Sequence, residues 1–535
     1  MKTMINSIIL ASCLALPLAS CSDSDAAPEQ KDWSTTTYFN SSDAAAQDTY
    51  YKPAVGYVGD PMPFFDPVAG DFKVLYLQDF RPNPEGTYHP IWGVSTKDAA
   101  HYTALGELVS CGTLKSQDAA IGTGSTIYDE ASKLYYTFYT GNKYKPTGDE
   151  SAQAVMVATS ADFKTWTKDR TFLIKGQDFG YDKNDFRDPF VFKGDDGKFH
   201  MLISTKKGGK GSLAEFVSDD LKNWTDNGVF MTMMWDRFYE CPDLFKMGDY
   251  WYLVYSELHH AVRRVQYFKG RTLDELKACT ANDAGIWPDA HEGFLDSRGL
   301  YAGKTASDGT NRYLWGWCPT RSGKDNTAVG ALPAEPEWAG NLVCYKLIQH
   351  EDGTLTLGQV DAVSEKYNQD VAVEVKESQN MTEADGTYTL SGNVEQPDAY
   401  MLMGRLGSHN KISFTVTTSN KWDKFGISMV RGSDSKKYYT MVVNPEDENN
   451  RKVNFEEQGV EGKGFIAGID GYVFARPADN VYNVTIYTDN SICVMYINDV
   501  CSYTNRIYGI QKNCWSINSY NGANVKISNL KISQN

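Results

Sequence analysis

Three acidic side chains stand where runs of strand-forming residues break off: Asp60 in Val58-Gly59-Asp60-Pro61, Asp188 in Phe186-Arg187-Asp188-Pro189-Phe190, and Glu240 in Tyr239-Glu240-Cys241-Pro242-Asp243. Taken singly, an aspartate before proline is a common turn. Glu240, between aromatic and apolar neighbours, is harder to explain that way, because a carboxylate taken out of water needs a partner or a task. Together the three suit chemistry at a glycosidic bond. That reaction needs one carboxylate ionised, to attack or to activate water, and another protonated, to release the leaving group. The apolar setting of Glu240 predicts a raised pKa and the acid role, and leaves Asp60 as the ionised partner. Arg187 tends to keep its neighbour Asp188 charged, which suits that acid to holding sugar hydroxyls.

Other chemistries find less support. None of the cysteines falls in a CxxC pair, so no metal site is expected. Cys241 has no histidine near it in sequence and reads as a buried small residue rather than a nucleophile. His259 and His260 form an isolated pair on a loop, and Glu446-Asp447-Glu448 reads as a solvated loop. Gly208-Gly209-Lys210-Gly211 lacks phosphate-loop spacing and reads as a flexible turn. No cofactor is called for. With 52 Lys and Arg against 68 Asp and Glu, the formal charge is −16, which argues against a nucleic-acid partner and for an uncharged one such as a polysaccharide or oligosaccharide.

The elements that must position these acids are short. A chain of 535 residues exceeds what one core usually supports, so two domains are expected. Aromatic residues make up 13% and favour strands, and no long stretch of helical period appears. A repeat gives the architecture. Ser160-Ala161-Asp162-Phe163-Lys164-Thr165-Trp166 is echoed 58 residues later by Ser218-Asp219-Asp220-Leu221-Lys222-Asn223-Trp224. A looser copy, Ser95 to Tyr102, lies 65 residues before the first. Strand-like runs recur five times, at Lys73 to Gln78, Leu134 to Tyr139, Lys198 to Ser204, Tyr250 to Ser256 and Arg312 to Trp317. Five copies of a several-stranded unit suit an all-β, five-bladed β-propeller, against the competing reading of a hairpin-built sandwich. Trp166 and Trp224 belong to the repeat and read as core, and Asp195-Asp196-Gly197 as a hairpin turn rather than calcium ligands. The propeller is expected over 49–350, a linker over 351–371, and a C-terminal β-sandwich of alternating strands over 372–535, more a buttress than a binding module.

Residues 1–20 have the form of an export signal: Lys2, a mostly apolar run from Ile5 to Leu18, then small residues. Leu18-Ala19-Ser20-Cys21 resembles a bacterial lipoprotein box, which makes Cys21 the lipidation site and 21–48, rich in Ser, Asp and Ala, a tether. The expected location is the bacterial cell envelope, lipid-anchored at the outer membrane, with no other membrane contact. Of the remaining cysteines, Cys493 and Cys501 are one conceivable disulfide pair.

The acidic motifs resemble those of glycoside hydrolase family 32, the invertases, inulinases and levanases. Arg187-Asp188-Pro189 and Glu240-Cys241-Pro242-Asp243 match the family's motifs intact, and Gly59-Asp60-Pro61-Met62-Pro63 corresponds to its opening Asn-Asp-Pro-Asn-Gly. Weaker matches lie at Gln78, Trp92-Gly93, Gly124-Ser125, Asp296 to Ala302, Leu314 to Trp317 and Ile486 to Tyr508. The resemblance implies a five-bladed propeller with a C-terminal sandwich and hydrolysis of fructosyl linkages with retention. It makes Asp60 the nucleophile, Glu240 the acid/base and Asp188 the transition-state stabiliser, with the carboxyls of Asp60 and Glu240 about 5 to 5.5 Å apart. Gln78, Trp92, Ser125, Arg187 and Trp317 are then the expected substrate-binding residues, although either tryptophan also suits packing between blades. The opening motif departs from the pattern. Gly59 replaces an asparagine whose amide bonds the sugar, and each such lost contact costs about 1 to 3 kcal/mol if its partner is left unpaired. Two rival readings remain: an arabinan- or xylan-directed glycosidase of the related family 43, and an inactive glycan-binding lipoprotein.

Overall fold

The computed structural model describes residues 49–535 except 81–87, 234–237, 258–263, 280–291, 322–335, 432–437, 446–452, 459–471, 473 and 512. The expected signal, tether and Cys21, the His259-His260 pair and Glu446-Asp447-Glu448 lie outside the described residues.

Short aromatic and β-branched runs, cut by Gly, Asn and Asp turns, pair with their sequence neighbours into five antiparallel four-stranded groups. The first holds β1 (Tyr57–Asp66), β2 (Asp71–Asp79), β3 (Ile91–Thr96) and β4 (Thr103–Val109). The second holds β5 (Ala120–Asp129), β6 (Leu134–Asn142), β7 (Gln153–Ser160) and β8 (Thr167–Lys168). The third holds β9 (Phe186–Lys193), β10 (Phe199–Lys207), β11 (Lys210–Ser218) and β12 (Thr225–Thr232). The fourth holds β13 (Tyr239–Met247), β14 (Tyr250–Glu257), β15 (Val265–Gly270) and β16 (Glu292–Phe294). The fifth holds β17 (Tyr301–Ser307), β18 (Arg312–Arg321), β19 (Pro336–Gln349) and β20 (Leu355–Gly358).

The first strands contact one another in cyclic order, β1 to β5, β9, β13, β17 and back to β1, which closes five blades around an axis. Pairing of Val58 on β1 with Gly340 on β19 hydrogen-bonds the last blade to the first. The five expected runs fall on β2, β6, β10, β14 and β18, the second strand of each blade. Strands sandwiched between neighbouring blades are apolar on both faces, which is why they stand out in sequence.

The repeated motif is the turn from third to fourth strand. In each copy an aspartate accepts two backbone N–H bonds: Asp162 from Lys164 and Thr165, Asp220 from Lys222 and Asn223, Asp98 from Ala100 and His101. The next residue takes a positive φ (Phe163 61°, Leu221 63°, Ala99 59°), and its carbonyl accepts from Trp166, Trp224 or Tyr102. The third copy therefore aligns from Thr96, not Ser95, one residue later than the sequence comparison placed it. Trp166 and Trp224 pack half-buried against the blade cores. Gly208 and Gly209, with φ of 60° and 78°, form a two-residue hairpin turn, and Gly197 (81°) closes another after Asp195-Asp196.

Strand β20 pairs with β19 and extends the propeller's hydrogen bonding to Gly358, past the expected 350, while Gln369–Val371 already pairs into the second domain. Four residues carry too little pattern for β20 to be read from sequence. The second domain is two stacked antiparallel sheets. One centres on Asn524–Gln534 and His409–Thr418, the other on Cys514–Tyr520 and Lys424–Met429. Inward residues such as Met401, Phe414, Ile427 and Trp515 fill the space between them. Cys493 pairs with Asn505 and Cys501 with Ile497, a register that holds the two cysteines apart, and no disulfide forms among the described residues.

The sandwich edge strand Cys501–Arg506 locks onto the propeller through buried polar groups. Arg506 donates to the carbonyls of Cys318 (2.8 Å) and Pro319 (2.9 Å), to Asn341 (2.7 Å) and to Ser491 (2.9 Å). Asp296 accepts from the Thr504 N–H and hydroxyl and from Ser502, all at 2.8 Å. Buried charges are tolerated because each is this fully bonded.

Candidate active site

Every innermost strand carries one extra residue at the same height. Pairing jumps from Gly59↔Leu77 to Met62↔Leu75 in β1 and from Gly122↔Thr140 to Gly124↔Tyr139 in β5. It jumps from Arg187↔Ser204 to Phe190↔Leu202 in β9, from Glu240↔Ser256 to Asp243↔Val254 in β13, and from Tyr301↔Trp317 to Lys304↔Trp315 in β17. Such bulges re-aim side chains. Four of the extra residues take positive φ: Asp60 (23°), Asp188 (58°), Cys241 (52°) and Ala302 (52°). A non-glycine residue pays for that conformation, so its recurrence at one level marks a site held by its surroundings. Pro61, Pro189 and Pro242 follow, where a bulge requires no ladder N–H.

The five bulges stack side chains in layers along the axis. The outer layer is Gly59, Gly122, Arg187, Glu240 and Tyr301; the next is Asp60, Thr123, Asp188, Cys241 and Ala302. Asp60, Asp188 and Glu240 thereby meet in one cavity of about 230 Å³, with Thr123, Arg187, Cys241, Tyr301 and Trp338 also on its walls. A larger concavity, about 390 Å³ between Gln359 and the sandwich residues Asp479 and Asp499, holds none of the three acids.

Asp60 accepts from the Thr123 hydroxyl at 2.6 Å and the Trp317 indole at 2.9 Å, so both carboxylate oxygens are fixed. Burial raises its pKa; the two donors oppose that, and the charge of Glu240 adds to it. Glu240 accepts from Arg187 at 2.8 Å on one oxygen and from the Tyr301 hydroxyl at 2.5 Å on the other. Its setting is therefore polar, contrary to the reading from its neighbours in sequence. Successive strand residues point to opposite faces, and Tyr239 packs into the blade core. Arg187 is spread between Glu240 and Asp185 (2.6 Å) and stacks on Phe238 at 4.0 Å. Asp188 takes the Cys241 N–H at 2.9 Å. Burial is the largest influence and raises its pKa; the charge of Arg187 pulls the other way, as its place beside Asp188 suggests, and the charges of Glu240 and Asp60 add to the rise. The buried Cys241 thiol is pushed well above its ordinary value, which leaves it no nucleophile.

Of the expected substrate-binding residues, Arg187 lines the cavity and Trp317 supports Asp60 from behind. Gln78, Trp92 and Ser125 are not brought to it. Gln78 is buried and donates to the Val55 carbonyl at 2.6 Å, Trp92 packs on Phe80 at 5.7 Å, and Ser125 bridges blades through Pro189 and Val191, each at 2.9 Å. The sequence reading missed Thr123, Tyr301 and Trp338. The first two are at bulge positions equivalent to Asp60 and Glu240, but no Asp-Pro or Glu-Cys-Pro string flags them.

Trp338 explains the departure at Gly59. A Cβ on Gly59 would lie 2.2 Å from Trp338 Cη2, with two more ring atoms at 2.7 and 2.8 Å. The indole occupies the space a side chain at 59 would need, stacked on His89 at 4.0 Å. The wall that the resemblance assigns to an amide is here an aromatic face. Among the described residues no group of three or more His, Cys, Asp or Glu side chains is placed to hold a metal ion.

Comparison with known proteins agrees with this geometry. The chain matches the Glycosyl hydrolases family 32 N-terminal domain over residues 50–360 and the GH32, BT1760-like, C-terminal domain over 353–532. It is 26% identical over 320 residues to the beta-fructofuranosidase insoluble isoenzyme CWINV2 of Arabidopsis thaliana, covering 54% of this chain and 51% of that one. It is 25% identical over 217 residues to the sucrose-6-phosphate hydrolase of Vibrio alginolyticus, covering 39% and 41%. The chain thus spans about half the length or less of these curated relatives. Among solved structures, the exo-inulinase of Aspergillus awamori superposes with a TM-score of 0.65 at 16% identity, covering 91% of this chain and 97% of that one. The sucrose-6-phosphate hydrolase of Lactobacillus gasseri gives 0.64 at 18%, covering 90% and 92%. These likenesses carry the fold, a five-bladed propeller followed by a β-sandwich. With three acids at its axis and both of its domains matched, the chain belongs to glycosyl hydrolase family 32.

Proposed function

We propose that this protein is a retaining glycoside hydrolase cleaving fructosyl linkages in levan, inulin or sucrose-type substrates. One observation carries the reading: five equivalent bulges bring Asp60, Asp188 and Glu240 into one cavity, each with different partners. Asp60, its oxygens oriented by Thr123 and Trp317, attacks the anomeric carbon. Glu240, gripped by Arg187 and Tyr301, gives its proton to the departing oxygen. With the fructosyl ester formed on Asp60, Glu240 takes a proton from the incoming water, whose oxygen bonds the anomeric carbon as the ester bond breaks and Asp60 leaves as a carboxylate. Asp188, fixed by Cys241, holds sugar hydroxyls as positive charge develops on the ring. The names of the relatives, a beta-fructofuranosidase and an exo-inulinase among them, support fructose as the sugar. Export and anchoring at the cell envelope through a lipid on Cys21 belong to the same proposal, supported by Leu18-Ala19-Ser20-Cys21.

The test is incubation of purified protein with levan, inulin, sucrose and arabinan. Release of fructose or fructo-oligosaccharides, abolished in Asp60→Asn and Glu240→Gln, supports the proposal. Arabinose release points to a different sugar, and binding without release, unchanged in Asp60→Asn, to an inactive glycan-binding protein.

A further inference from the structure

In the outer layer of the cavity Trp338 covers Gly59, while Arg187, Glu240 and Tyr301 present polar groups of their own. The second blade has only Gly122 at this level, and Asn142, the last residue of β6, stands in the space a side chain there would take. A Cβ on Gly122 would lie 3.1 Å from Asn142 Nδ2. Asn142 is half-buried and lines the same cavity as Asp60, Asp188 and Glu240. Two residues back on the same face of β6, the Thr140 hydroxyl donates to the Thr123 carbonyl at 2.9 Å and accepts the Asp188 N–H at 2.8 Å, so this face of the strand borders the acids.

A chain of hydrogen bonds fixes which way this amide faces. One end of the Gln153 side chain, on β7, receives the Phe186 N–H at 3.0 Å and Arg187 at 3.4 Å. Both are donors, so that end is the carbonyl oxygen. The Gln153 NH2 therefore points at Asn142, to which it donates at 3.0 Å, and Asn142 answers with its own oxygen. The Asn142 NH2 is left beside Gly122 with no acceptor among the described residues. An asparagine at a strand end ordinarily bonds its own turn; this one bonds across to the next strand and turns its donors to the cavity. Through Gln153 it is also tied to Arg187, whose other nitrogen grips Glu240.

We infer that Asn142 is a substrate-binding residue whose side-chain N–H donates to a hydroxyl of the sugar unit held over Asp60 and Asp188. It supplies from the second blade an amide donor of the kind that Gly59 lacks. The identity of that sugar rests on the proposed reaction. A pre-oriented donor facing a cavity favours a substrate with a hydroxyl at that place over one without it, since in the second case the donor is left unpaired when water is expelled.

Asn142→Ala removes the amide, and Asn142→Asp keeps an acceptor for Gln153 while removing both N–H donors. Each is expected to lower kcat/KM on a fructosyl substrate by roughly 10- to 100-fold with Tm little changed. A residue kept only to hold Gln153 would be rescued by Asn142→Asp, and wild-type kcat/KM in that variant overturns the inference. Substrates with the fructosyl hydroxyls removed one at a time locate the contact. For one of them wild type and Asn142→Ala should share the same kcat/KM, while the parent and the others keep the full gap; an equal gap for every analogue overturns the inference. Absence of hydrolysis by wild type sinks the proposed reaction instead, and the Asn142 NH2 resonances then decide. Assigned in ¹⁵N-Asn-labelled protein through Asn142→Asp, they should shift on addition of fructo- or arabino-oligosaccharides, and resonances that neither moves overturn the inference.

Discussion

Replacing Gly59 by alanine probes how this cavity departs from the resemblance that named it. The backbone at 59 needs no glycine conformation, since its φ is not positive, so any effect comes from the methyl group meeting Trp338. Three ring atoms within 2.8 Å of the new Cβ oblige the whole indole to move. Overpacking a tight site costs about 1 to 3 kcal/mol, and a rigid ring stacked on His89 belongs in the upper half of that range. A cost of about 2 to 3 kcal/mol, expressed at the transition state, is a loss of roughly 30- to 150-fold in kcat/KM. Urea unfolding read alongside hydrolysis shows how it divides between stability and activity. Removing the ring first should remove the penalty. In a Trp338→Ala background, Gly59→Ala is expected to cost under about 0.5 kcal/mol, a coupling of about 2 kcal/mol between the two positions. Equal costs in the two backgrounds would refute the claim that Trp338 fills the space beside Gly59.

Tyr301→Phe removes the 2.5 Å hydrogen bond to Glu240 and keeps the ring; bonds to charged groups are worth about 1.5 to 3 kcal/mol, so kcat should fall by roughly 10- to 150-fold with Tm little changed. Asp188→Asn takes a like charge away from Asp60, so the acidic limb of residual activity should move to lower pH, read from the kcat/KM–pH profile. A carboxyl whose folded pKa is raised favours folding most below its unfolded value, near about 4, and that contribution is lost as pH rises through the folded value. Unfolding free energies should therefore show Asp188→Asn gaining on wild type from pH about 4 towards neutrality. Asp296→Ala strips the acceptor from Ser502 and Thr504 at the domain junction, and urea unfolding should register a loss of about 3 to 5 kcal/mol.

The second strand of each blade was legible because burial on both faces leaves an unbroken apolar run, as in Val74-Leu75-Tyr76-Leu77. The acids were legible because Asp-Pro and Glu-Cys-Pro are what a bulge on an inner strand looks like in sequence. Where the motif wrote other residues, as in Gly122-Thr123-Gly124 and Tyr301-Ala302-Gly303, the equivalence was hidden although the backbone repeats it. The environment of Glu240 misled for a different reason: Tyr239 beside it in the chain faces the core, while Arg187 and Tyr301, distant in the chain, face its carboxylate. Gln78 illustrates the limit of motif matching, since its amide is spent on the Val55 carbonyl. Short β20 and the swap of side chain for ring at Gly59 and Trp338 depend on contacts that no local pattern encodes.

The account turns on Asp60 as a nucleophile answered by Glu240, and methanol as a competing acceptor tests it most directly. If Asp60 forms a covalent fructosyl ester, a β-linked fructan hydrolysed in aqueous methanol yields methyl β-fructofuranoside alone by ¹³C NMR, and none with Asp60→Asn. Methyl α-fructofuranoside as the product, or undiminished transfer by Asp60→Asn, would contradict it.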